Sequence, residues 1–145
     1  MANEIERLSD DVAASQWGDI SKIIFLNSIN HGRSVDESVG DVHAAGCAVA
    51  GGSASVWIVH ERGDCAGVQA MCCTIDDGDG LRVFSMVGKR PREWARDLSD
   101  SIAAFAKGRG MSFVRYTGPR AWTRLLPEFK LSSTDGASNT YERVV

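Results

Sequence analysis

No C-x-x-C pair occurs in these 145 residues. The four cysteines (Cys47, Cys65, Cys72, Cys73) and three histidines (His31, His43, His60) are too scattered for a zinc site. Cys72 and Cys73 are adjacent in a segment that reads as a strand, so they point to opposite faces. A disulfide framework is thereby excluded, and reduced, mostly buried thiols of a cytosolic protein are expected. Prolines number only three against 15 glycines, which excludes a Pro-rich linker or a collagen-like chain. No apolar run approaches the roughly 20 residues that span a bilayer. The polar, acidic residues 1–7 do not read as a secretory signal, so no membrane association is expected. A composition of 43% hydrophobic and 24% charged residues excludes a disordered tail. With no internal repeat and no boundary, residues 1–145 read as a single domain.

The net charge of −3 is uneven along the chain. Residues 1–81 carry four bases against thirteen acids, whereas residues 82–124 carry ten bases against Glu93, Asp97 and Asp100. Such asymmetry either marks an electrostatic surface or is neutralised within the fold.

Periodicity divides the chain into helices and strands. Ser9-Asp10-Asp11 caps a predicted helix in which Val12, Ala13, Trp17, Ile20, Ile23, Ile24 and Leu26 repeat near 3.6 residues. Asn30-His31-Gly32 ends it. Ser34 with Glu37 forms a capping box for a second helix, which Gly51-Gly52 terminates. Residues 54–61 (ASVWIVHE), 65–75 (CAGVQAMCCTI) and 81–87 (LRVFSMV) read as an antiparallel meander, with turns at 62–64 and 76–80. Leu81, Val83, Ser85 and Val87 are expected on one face of the third strand. The DDGDG of residues 76–80 lacks the acid that closes a calcium loop and reads as a hairpin turn. Pro91 suits a first helical turn, and Trp94, Leu98, Ile102 and Phe105 form the apolar stripe of the next helix. Residues 111–117 are a strand, Trp122, Leu125, Leu126 and Phe129 a final helix, and residues 141–145 a last strand. A short strand at 4–8 precedes the first helix.

That order predicts an α/β (α+β) fold with a mixed, mainly antiparallel central sheet flanked by helices. It is the element order of the GNAT (GCN5-related N-acetyltransferase) fold. Residues 106–110, the strand 111–117 and then Gly118-Pro119-Arg120-Ala121-Trp122-Thr123-Arg124-Leu125-Leu126-Pro127-Glu128-Phe129 resemble a pattern of small GNAT-like proteins of tailed phages and prophages. That pattern is "A-x-x-x-G-C", a strand, then "G-R-x-G-W-x-R-x-L-P-x-Y". Ala121 stands where that pattern has glycine, and Phe129 where it has tyrosine.

Active relatives, the resemblance implies, hold the acetyl-CoA pyrophosphate on a Q/R-x-x-G-x-G/A loop at a helix N-terminus, where free amides and the helix dipole meet the anion. The corresponding loop here consists of Gly88, Lys89, Arg90 and Arg92 with Pro91 and Glu93. Pro91 removes a donor and Glu93 puts a carboxylate where glycine is needed. A tyrosine acid expected at the start of the last helix is replaced by Trp122, which reads as a core anchor. Tyr116 could face either side of its strand, and His60 and Glu61 read as surface or packing residues. The expectation is therefore a non-catalytic phage structural protein, virion-associated or acting in assembly in the host cytoplasm, that binds no cofactor. Its partners would be other phage structural proteins in a multi-subunit assembly, contacted through Lys89, Arg90, Arg92 and Arg96. The alternative is an acetyl-CoA-dependent N-acetyltransferase with a divergent loop. Nucleic acid is not expected, because Trp94, Phe105 and Trp122 have core spacing.

Overall fold

A computed structural model describes residues 3–61, 67–135 and 138–145. The turn expected at 62–64 and Cys65 lie outside the described residues. The elements run β1 (Asn3–Arg7), α1 (Asp10–Ser15), α2 (Trp17–Asn30), α3 (Val35–Ala50), β2 (Ala54–Glu61), β3 (Val68–Asp77), β4 (Gly80–Gly88), a 3-10 turn (Pro91–Glu93), α4 (Ala95–Gly108), β5 (Phe113–Thr117), α5 (Trp122–Leu125), β6 (Lys130–Asp135) and β7 (Ser138–Val144). The strands form one sheet in the order β1-β2-β3-β4-β5-β7-β6. Every pairing is antiparallel except β4 with β5, so the expected mixed, mainly antiparallel sheet is what forms.

Helices cover both faces. Ile20, Ile24, Ala45 and Val49 of α2 and α3 pack on Val56, Met71 and Cys73. Leu98, Ile102 and Ala106 of α4 pack on Trp57, Cys72, Leu81 and Val114 of the other face. The adjacent cysteines thus enter opposite halves of the core. Burial pushes both thiols up, that of Cys73 to about 12, and this keeps them unreactive. Cys47 is exposed, the exception among the three described cysteines.

Several local choices were legible. The Ser34 hydroxyl accepts from the Glu37 amide while the Glu37 carboxylate accepts from the Ser34 amide, the expected capping box. Asp77 pairs with Gly80, so the DDGDG turn has two loop residues, and Gly78 supplies its φ of +63°. Gly80 has a second task. A Cβ there would lie 2.3 Å from the Phe113 ring, so glycine lets β5 run close beside β4.

Four details correct the sequence reading. The first helix breaks at Gln16 into α1 and α2, and the Trp17 indole lies over Gly46 of α3, where a Cβ would come within 3.1 Å. The last helix is only four residues long, ending just ahead of Pro127. Residues 130–135 (KLSSTD) form β6, exposed throughout, so no alternation of apolar residues announces it. Finally, Cys73 pairs with Ser85 but Thr74 with Val83, leaving Phe84 as the extra residue of a β-bulge. Leu81 and Val83 therefore face α4, whereas Ser85 and Val87 turn to the α2 face.

Candidate functional site

The parallel pairing of β4 and β5 is short. Gly80 to Val83 match Phe113 to Tyr116, and there it stops. The bulge at Phe84 bends β4, while β5 ends at Thr117 and leads into Gly118-Pro119. From Phe84 to Gly88, no strand among the described residues pairs with β4 on that edge, and its backbone groups there have no ladder partner among them.

The divergence opens a cleft of about 490 Å³. Its lining comes from both faces of the sheet: Ile24, Asn27 and Ser28 of α2 with His31 just after it, and Ala95, Leu98, Ser99 and Ile102 of α4. Met86 and Tyr116 form the strand walls, with Trp122, Leu126 and Phe129 beyond.

Tyr116 is 6% exposed, and its hydroxyl has no hydrogen-bond partner among the described residues. The ring is fixed by stacking on Tyr141, with centroids 5.1 Å apart, and by an edge contact to Phe129 at 5.0 Å. Burial first, and then the neighbouring Tyr141, push its phenol up to about 12, so at neutral pH the oxygen keeps its proton. A buried hydroxyl without a partner is a group left for a ligand or a water.

The α2 wall is held by a chain of hydrogen bonds. Asn27 donates from Nδ2 to Ser85 Oγ at 2.9 Å, tying α2 to β4 just past the bulge. Ser38 donates to Ser28, and Ser28 to Asp41 at 2.8 Å. Arg33 grips the same carboxylate with Nε and Nη2 at 2.7 and 2.8 Å. Burial alone would raise the Asp41 carboxyl, but the hydrogen bonds from Arg33 and Ser28 and the guanidinium charge hold it below the ordinary carboxylate value. His31 follows the last residue of α2, and its Nδ1 lies 2.7 Å from the Asn27 carbonyl oxygen.

At the α4 end lie the residues that the sequence singled out. Gly88 closes β4, and Lys89, Arg90, Arg92 and Arg96 are all exposed. Arg90 adopts the left-handed conformation at φ +54°. The Glu93 carboxylate does not project freely into the loop. It accepts from Gln69 Nε2 and lies 3.4 Å from Arg90 Nε. Trp94 gives α4 no side-chain cap, so the amides of Ala95, Arg96 and Asp97 have no acceptor within the helix.

Trp122 packs against the core on the α4 side, its ring centroid 6.5 Å from that of Trp94, but it is only half-buried and also lines the cleft. His60 pairs with Glu6 on the β1–β2 edge and is not part of the cleft lining. The sequence reading missed His31, Asn27, Asp41 and Ser85. His31 was visible only as a helix terminator, and nothing near Asn27 announced its partner Ser85, 58 residues away, which joins α2 to β4. Among the described residues no cluster of His, Cys, Asp and Glu could hold a metal ion, and no helix is long and apolar enough to cross a membrane.

No family model matches the sequence, and no curated protein matches it. Solved structures do. The PaiA N-acetyltransferase of Thermoplasma acidophilum, in complex with coenzyme A, superposes with a TM-score of 0.69 at 11% identity, covering 100% of both chains. A GNAT-family acetyltransferase of Staphylococcus aureus Mu50 gives 0.67 at 12% identity over 99% of both. An aminoglycoside 6'-acetyltransferase type Ii gives 0.65 at 12% identity, covering 97% of this chain and 96% of that one. The chain thus has the GNAT acetyltransferase fold. This overturns the expectation of a non-catalytic structural protein: the whole-length matches named above are acetyltransferases, and the cleft between β4 and β5 is lined by both apolar and polar side chains. In the loop itself, the Glu93 carboxylate is engaged by Gln69 and Arg90.

Proposed function

We propose that this protein is an acetyl-CoA-dependent N-acetyltransferase acting on an amine. The observation that carries the reading is the short parallel pair, which ends at Val83 and Tyr116 and opens a cleft reached from both faces of the sheet. Two reactants can then approach one point from opposite sides. The residues present fit the cofactor. The free edge of Phe84 to Gly88 offers backbone donors and acceptors to an amide-bearing arm, and Leu98, Ile102 and Met86 give that arm an apolar wall. Amides of the first turn of α4, with the positive end of its dipole, suit a phosphate. Lys89, Arg90, Arg92 and Arg96 add side-chain charge around that turn, offsetting the donor lost at Pro91. When bound, acetyl-CoA supplies an acetyl thioester, an electrophile with a thiolate leaving group. Tyr116 holds the proton on Oη that such a leaving group needs.

Acetyl-CoA is expected to raise the melting temperature saturably; ligand at 100 times its Kd stabilises by about 2.7 kcal/mol. Arg92→Glu with Arg96→Glu weakens that binding and lessens its salt dependence, without lowering the melting temperature of the free protein. A thermal-shift titration at two salt concentrations checks both. The absence of any shift at millimolar acetyl-CoA would refute the reading.

A further inference from the structure

We infer that His31 is the catalytic base of the acceptor side, taking the proton of the incoming amine on Nε2. The inference rests on the transferase reading above. Few side chains of the cleft wall can accept a proton at neutral pH: among the described residues they are His31 and Asp41. Asp41 is committed, since both its oxygens are held by Arg33 and one also by Ser28. His31 is not. Its Nδ1 faces the Asn27 carbonyl oxygen at 2.7 Å, and a carbonyl can only accept, so Nδ1 carries the hydrogen. The neutral ring then presents Nε2 with a lone pair.

The same contact aims the ring. Asn27 holds His31 with its carbonyl and Ser85 with its side chain, so one residue fixes the imidazole relative to the strand that borders the cleft. Charges sharing that wall are Arg33 from the α2–α3 turn, Asp41 from α3 and Arg82 from β4, with the neutral phenol of Tyr116 on β5. Arg33 and Asp41 form a bidentate pair with Glu37 outside it, and Arg82 lies within 4.0 Å of Asp77. Base and acid thus belong to different walls of the opening. His31 sits at the α2 mouth, and Tyr116 on the β5 wall.

The proton balance closes. As nitrogen bonds to the acetyl carbon and the carbon–sulfur bond breaks, the amine proton passes to His31 Nε2 and the sulfur takes the proton of Tyr116 Oη. The products are an N-acetyl amine and a free thiol, and solvent exchange returns imidazolium and phenolate to their starting states.

The test uses the full chain with acetyl-CoA and three probe amines, spermidine, kanamycin and lysinamide, followed by thiol release. His31→Gln is expected to lower kcat/KM by about 10²-fold and to abolish the acidic limb of the pH profile. The acetyl-CoA-induced thermal shift should be unchanged. In His31→Ala, added imidazole should restore part of the rate. An unaltered rate and pH profile in His31→Gln would overturn the inference and leave the transferase reading standing. So would loss of the acetyl-CoA shift together with the rate, which would mark a structural role. Wild-type protein that turns over none of the three amines would overturn both.

Discussion

Tyr116→Phe should lower kcat for acetyl transfer by at least about 10²-fold while the melting temperature holds or rises slightly. The two halves of this expectation have separate causes. The ring keeps its stacking on Tyr141 and its edge contact with Phe129, so the packing survives. The hydroxyl makes no hydrogen bond in the free protein, and removing an unsatisfied buried polar group costs the fold nothing. What the substitution does remove is a proton held firmly on oxygen at neutral pH. Steady-state kinetics beside a thermal-shift titration with acetyl-CoA separate the effects. An unchanged kcat would mean that the leaving sulfur takes its proton from elsewhere.

Trp94→Ala should be the most damaging single truncation in the cleft region, at about 3–5 kcal/mol. Trp94 is 1% exposed and packs among Ala95, Leu98 and the β-sheet face. Its indole donates to the Lys89 carbonyl at 2.7 Å, and its own carbonyl accepts from Leu98 to start α4. Truncation therefore opens a cavity, frees a carbonyl and loosens the basic turn together, so acetyl-CoA affinity should fall with stability. Trp122→Ala, at a half-buried ring, should cost less, about 1–2 kcal/mol. Urea denaturation of both variants measures the contrast, and equal losses would contradict the different burial of the two indoles.

These two tryptophans also show where sequence reasoning reached and where it stopped. Trp94, Leu98 and Ile102 recur at a helical spacing, so their burial follows from the pattern alone. Trp122 shares a similar local spacing with Leu125 and Leu126, but Pro127 cuts the helix to one turn, and half of the ring is left at a cleft wall. The meander of β2 to β4 was legible from its β-branched residues and turns. The bulge at Phe84 was not: its extra residue is fixed by what β3 places opposite, and nothing in LRVFSMV announces it. With the bulge went the facing of Ser85, and with that the link from Asn27 to β4. Tyr116 was visible as a residue but not as a site, because the end of β4–β5 pairing decides its surroundings. The edge strand β6 escaped because its six residues are all exposed and polarity there carries no period.

The adjacent thiols on β3 have a practical consequence. Cys72 borders the layer covered by α4, and Cys73 borders the layer covered by α1 to α3. Neither can meet an alkylating reagent until its own helical cover lifts, since both are fully buried. Two reporters, one residue apart in the chain, therefore watch opposite sides of the sheet. Trapping the protein in rising denaturant and mapping which thiol is modified first would time the detachment of each helical layer. Such local opening need not be simultaneous across a domain. No dye, spin label or engineered cysteine is needed to see it.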